Sequence, residues 1–140
     1  MEADNGNRAA APARKPIQSY RDIEAFQRSM ALLAPVHQLL TKLPHIERWE
    51  LASQIRRASK SIPAHIAEGY GKKRSAKDFR AYLDISLGSA NEMIVHLEII
   101  ARSVGYLTEA DIQPLVAEYE IVAKQLYRLV ENWRDFTVPT

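Results

Sequence analysis

The chain contains no cysteine. That excludes disulfide frameworks, thiol nucleophiles and thiolate metal sites, and it is compatible with a reducing compartment. Long apolar runs are missing as well. None approaches the roughly 20 residues needed to cross a bilayer, and no apolar leader opens the sequence. A cytoplasmic protein that meets no membrane is expected. Aromatic residues make up only 8% and glycines number five. Alternating β-branched runs between turn dipeptides, the mark of strands, do not occur, nor does an internal repeat. What is present is 140 residues, 46% hydrophobic and 26% charged. That suffices for one domain with its own core.

Residues 1–18 hold almost no bulky apolar side chains. They cannot offset the entropy of ordering and are expected to form a disordered tail. Residues 19–136 form the expected domain, and 137–140 a C-terminal tail. Four helical segments are predicted within the domain. The first runs from Asp22 to Lys42, with Ile23, Phe26, Met30, Leu33, His37 and Leu40 on one face and a kink at Pro35. The second runs from Ile46 to Glu68 with Leu51, Ile55, Ala58, Ile62 and Ile66 inward. Pro63 should bend it, and Gly69 and Gly71 should end it. The third runs from Ser75 to Ser103. Phe79, Leu83, Ser86, Ala90, Met93, Leu97, Ile100 and Val104 alternate between steps of four and three, the seam of a bundle helix. Gly88-Ser89-Ala90 is small enough for another backbone to approach. The fourth runs from Thr108 to Phe136, with Ile112, Leu115, Tyr119, Val122, Leu126, Leu129 and Trp133 inward. Ser75 with Asp78, and Thr108 with Asp111, resemble capping boxes. Four amphipathic helices with short connections predict an all-α, antiparallel up-down-up-down four-helix bundle.

Catalytic patterns are scarce. A bundle di-metal site needs Glu-x-x-His pairs; here Glu92 precedes His96 by four and His65 precedes Glu68 by three, so neither matches. His37 on an apolar face reads as a hydrogen-bonded core histidine. Ser59, Ser61, Ser86 and Ser89 fall mid-helix, where hydroxyls bond back to carbonyls. There is no phosphate-binding loop of the Gly-x-x-x-x-Gly-Lys type and no dinucleotide fingerprint. No enzyme activity, cofactor or metal is expected.

Charge is the informative property. The net value is +2, but it is unevenly spread. Residues 47–80 hold nine basic and four acidic side chains, net +5, whereas residues 81–140 hold four basic and nine acidic, net −5. Arg56, Arg57 and Lys60 cluster on the second helix. Lys72, Lys73, Arg74 and Lys77 follow at the next turn and helix start. If these groups share a surface, phosphate contacts follow. Free backbone donors near Ser75 would strengthen the site, and Tyr70 would stack on a base. The alternative is a solvated face, or charges that meet the acidic fourth helix across a subunit interface. Glu68 would then pair with Arg56 or Arg57 of a neighbouring subunit.

Three stretches carry a resemblance: SYRDIEAFQ (Ser19–Gln27), SQIRRASKSIPAHIAEGYGKKRSAKDFRAYLDISLGSANEM (Ser53–Met93) and HLEIIARSVGYL (His96–Leu107). Together they resemble the four-helix-bundle family of intervening-sequence proteins encoded within bacterial large-subunit ribosomal RNA genes. The accessory variability determinant proteins of diversity-generating retroelements are similar. The resemblance implies homopentameric, barrel-like rings. From the retroelement branch it implies nucleic-acid binding through a basic surface and association with a reverse transcriptase. Arg56, Arg57, Lys72, Lys73 and Arg74 fall on the matching positions; Lys60 and Lys77 join them by proximity. The expected function is therefore a non-enzymatic RNA- or DNA-binding accessory protein. One alternative is a protein-interaction module whose basic face docks an acidic partner. The other is a metalloenzyme, which would carry stoichiometric metal.

Overall fold

A computed structural model of the chain describes residues 16–135. Most of the expected N-terminal tail, and residues 136–140, lie outside the described residues. The described residues form five α-helices: α1 Glu24–Ala31, α2 Leu33–Leu40, α3 Leu51–Tyr70, α4 Ala76–Glu98 and α5 Glu109–Asn132. Among the described residues there is no strand. Helix α1 packs on α3 and α5, α3 on α4, and α4 on α5. This closes a ring of four helical corners, with α2 continuing the first corner beyond Leu32.

The first predicted helix is two helices, broken at Leu32. Pro35 sits in the first turn of α2, where a backbone donor has no intrahelical partner anyway, so its ring costs little there. The buried face also differs from the prediction. Ala25, Ser29, Leu32, Val36 and Leu39 turn inward, while Met30 is 47% exposed. The buried residues step by four, three, four and three straight through Leu32, so one period serves both helices, but its phase differs from the predicted one.

Helix α3 follows its predicted face: Ile55, Ala58, Ile62 and Ile66 are buried. It begins at Leu51, after a 3-10 turn at His45–Glu47. It passes through Pro63 without interruption and continues through Gly69 to Tyr70. Gly69 is therefore not a terminator. A Cβ there would stand 2.4 Å from Tyr82 Cβ, so the missing side chain lets α4 lie against α3. Gly88 is the reverse case. It is exposed, with no atom within 4 Å of the site its Cβ would occupy, so within the protomer it serves no close approach.

The seam of α4 is buried from Phe79 through Ile100. Residues Ile99–Ser103 then form a π-helical turn, in which the Val104 amide donates to the Ile99 carbonyl five residues back. The wider turn shifts the register by one residue. Val104, predicted inward, is consequently 49% exposed. Gly105, at φ +67°, takes the left-handed conformation that ends the segment.

Both predicted caps are present in different degrees. Thr108 and Asp111 form a complete capping box. Ser75 accepts from the Asp78 amide at 3.2 Å, without a return bond from Asp78. The mid-helix serines divide as well. Ser59 bonds back to the Arg56 carbonyl, whereas Ser86 donates across to the Ile62 carbonyl of α3 at 2.9 Å. The Ser61 and Ser89 hydroxyls pair at 2.9 Å between the same two helices.

Tyr119 sits at the centre of the core, fully buried. Its hydroxyl has no hydrogen-bond partner among the described residues, and burial pushes its ionisation well above the ordinary tyrosine value. The folded state therefore keeps the phenol proton at pH values where the unfolded chain has lost it. Stability from this group is complete below about pH 10 and falls above it, at up to ~1.4 kcal/mol per pH unit. Urea unfolding across that alkaline range should show a steeper loss for the wild type than for Tyr119→Phe. Parallel curves would show that Tyr119 ionises freely in the fold.

Candidate nucleic-acid interface

The seven basic residues are held by two elements and the turn between them. Arg56, Arg57 and Lys60 lie in the first half of α3, outside the apolar stripe set by Ile55, Ile62 and Ile66, with Arg56 at its flank. Lys72, Lys73 and Arg74 occupy the α3–α4 turn, and Lys77 the first turn of α4. All but Arg56 are exposed, and Arg56 is half-buried. Among the described residues none of the seven forms an ion pair, whereas Arg28, Lys42 and Arg102 each meet a carboxylate.

Local contacts pin several of these cations while leaving their charge uncompensated. Arg56 Nη2 donates to the Arg48 carbonyl at 3.2 Å. Lys73 Nζ donates to the Tyr70 hydroxyl at 2.7 Å and stands 4.1 Å from that ring's centroid. Lys72 lies 5.7 Å from the Tyr82 ring centroid. Arg80, basic but outside the predicted site, serves the fold instead, donating to the Trp133 carbonyl at 2.7 Å.

Three expectations about this site are corrected. The two basic groups do not gather into one cluster. Twelve to sixteen residues of mostly helical chain separate Arg56, Arg57 and Lys60 from Lys72, roughly 20 Å at the helical rise. The N-terminus of α4 is not free either. Its Ala76 amide donates to the Asp135 carboxylate at 2.7 Å, and Ser75 takes the Asp78 amide. A phosphate there would have to displace a carboxylate. Tyr70, finally, cannot stack on a base. It is only 9% exposed and sits edge-on to Tyr20 and Phe79, at 6.4 and 6.0 Å between centroids.

The α2–α3 connection holds what periodicity and charge alone do not reveal. Ile46 and Trp49 there are 80% and 78% exposed, and the Arg48 guanidinium stands 5.4 Å from the Trp49 ring centroid. A cleft of about 250 Å³ beside them is lined in part by His37, His45, Arg48 and Arg56. The one signal in the sequence is a tryptophan in Glu47-Arg48-Trp49-Glu50, off the apolar period of the helix that follows. His37 itself is half-buried, its Nδ1 at 2.7 Å from the Leu33 carbonyl, as expected of a core histidine.

Other polar groups pair locally. Glu92 and His96 meet at 3.1 Å, and His65 Nδ1 donates to the Ser61 carbonyl at 2.8 Å. Glu68 has no ion pair in the protomer among the described residues. There, too, no three His, Asp or Glu side chains gather as metal ligands would. No helix of the described residues is long and apolar enough to cross a membrane.

Comparison with known proteins gives this arrangement a context. A search of curated proteins gave no match. Among solved structures, the chain is similar to a protein of unknown function from the S23 ribosomal protein family of Bacteroides thetaiotaomicron VPI-5482. The two share 23% sequence identity and a TM-score of 0.66, over 77% of this chain and 99% of that one. At that identity the likeness speaks for the fold. The family model for 23S rRNA-intervening sequence proteins matches residues 21–128, spanning α1 through most of α5. The chain belongs to the 23S rRNA-intervening sequence protein family.

Proposed function

We propose that this protein is a non-enzymatic, cytoplasmic accessory factor that holds RNA or DNA by its phosphates. The observation that carries the reading is the strip from Arg56 to Lys77: seven cations without a single carboxylate partner among the described residues of the protomer. Uncompensated cations on a regular scaffold favour a polyanion. Readout would be sequence-tolerant, because phosphate contacts position a strand without reading it.

The reading includes an antiparallel bundle that assembles with copies of itself. Short connections, such as the turn between Tyr70 and Ala76, favour antiparallel neighbours. The outer face of α4 supports assembly. Ala81, Ile85, Gly88, Glu92 and Val95 recur at steps of four and three and are all exposed. This is a second seam with small and apolar members, left uncovered by the described residues of the protomer. Five subunits is the number the resemblance implies, and Glu68 would meet Arg56 or Arg57 of a neighbour. Native mass spectrometry gives the subunit number directly.

The binding test compares labelled single-stranded RNA and duplex DNA at two salt concentrations. A variant with Arg56, Arg57, Lys72, Lys73 and Arg74 changed to alanine runs beside the wild type. Wild-type binding should weaken steeply with salt and vanish in the still-assembled variant. If the wild type binds neither nucleic acid at low salt, the proposal fails. The basic strip would then be a docking face for an acidic protein such as a reverse transcriptase, and unrelated nucleic acid would not compete for it.

A further inference from the structure

The α2–α3 connection presents an aromatic plate that the protomer itself does not use. At 78% exposure, Trp49 leaves most of its indole in water, and Ile46, three residues earlier, is 80% exposed. So much exposed apolar surface on two large side chains of one short connection marks an interaction site. The charge around it says which kind. Arg48 stands over the ring at 5.4 Å. Arg56 reaches back to hold the Arg48 carbonyl, tying the loop to α3, and Arg57 and Lys60 continue the cationic face along that helix. The acids nearby are Glu47, which accepts from the Tyr106 hydroxyl at 3.0 Å, and Glu50. Lys42 is already paired with Asp111.

Protein interfaces enrich tryptophan and arginine as well, but a second copy presenting this same face would set cation against cation, which an anionic strand does not. A single strand asks for the combination present here, a stacking platform with cations on its flanks to follow the backbone. A duplex keeps its bases in the stack and has none to offer. We infer that Trp49, with Arg48 against its ring and Arg56 bonded to the Arg48 carbonyl, stacks an unpaired base of single-stranded RNA or DNA. This inference rests on the phosphate-binding reading and deepens it, since it assigns one end of the strip a contact to bases.

The test uses the full-length protein, a short single-stranded oligonucleotide, and an abasic strand with the same number of phosphates. The wild type should prefer the base-bearing strand by about tenfold, the size of one stacking contact. Trp49→Ala, a loop substitution that leaves the core untouched, should bind both strands alike with an unchanged salt slope. If Trp49→Ala keeps the full preference, or the wild type never had one, stacking on Trp49 is refuted while phosphate binding stands. If the wild type binds neither strand, the phosphate reading falls and this one with it. A change of oligomer mass in Trp49→Ala would make the tryptophan a subunit contact and would likewise overturn the proposal.

Discussion

Gly69→Ala should destabilise the bundle by about 3 kcal/mol, the upper end of the range for overpacked cores. The added Cβ would meet Tyr82 Cβ at 2.4 Å, Tyr82 Cγ at 3.1 Å and Phe79 Cδ2 at 3.2 Å. A Cβ cannot swing aside as the end of a long side chain can, so α3 and α4 must part. The gain in helix propensity from glycine to alanine, about 1 kcal/mol, is too small to reverse the sign. Melting temperature should fall by roughly 10 °C. Gly88→Ala should do the opposite in the protomer. With open space at its Cβ, only the propensity gain remains, about 0.5–1 kcal/mol of added stability. Urea unfolding of both variants, with oligomer mass measured in parallel, checks the pair. A stable Gly69→Ala protein would mean that the α3–α4 packing yields easily. A Gly88→Ala protein that loses subunits would locate a neighbour's backbone on the outer face of α4.

The second large effect concerns the division of the basic strip. Changing Arg56, Arg57 and Lys60 to alanine should lower the salt slope of single-strand binding by about 2. Changing Lys72, Arg74 and Lys77 should do the same, each triple removing about three phosphate contacts at ~0.7 per contact. Because roughly 20 Å of chain separates the groups, neither triple should abolish binding of a long strand. Strands too short to span the strip should lose little when the remote group is removed. A single triple that brings the slope to zero would mean that one group alone does the binding. Lys73 is left out of the second triple because its ammonium also supports the Tyr70 hydroxyl.

Much of this molecule was legible in its sequence. Local periodicity and caps are written in neighbouring residues, so α3, α4 and α5 fall close to their predicted ranges and faces. Thr108 with Asp111 caps α5 as its spacing indicated. The concentration of cations between Arg56 and Lys77 was likewise readable, since charge needs no fold to be counted; that they lack carboxylate partners was not.

What the sequence left undecided depends on what stands opposite a residue. Gly69 and Gly88 are the same residue type, yet Tyr82 lies against one and nothing lies against the other. Only the packing of α3 on α4 distinguishes a required glycine from a tolerated one. Val104 belongs to an unbroken seam until a π-helical turn shifts its register. Tyr70 was expected to be the stacking ring, and no role was expected for Trp49. Tyr70 follows the buried face of α3 into contact with Tyr20 and Phe79, while Trp49 sits in a connection that no described element covers. The separation of the cations into two groups is set by the length of α3. Asp135 reaches the first amide of α4 across 59 residues of sequence. Composition and spacing determined the helices and the sign of the surface; the tertiary structure decided which small residue, which aromatic ring and which helix end remain open to a partner.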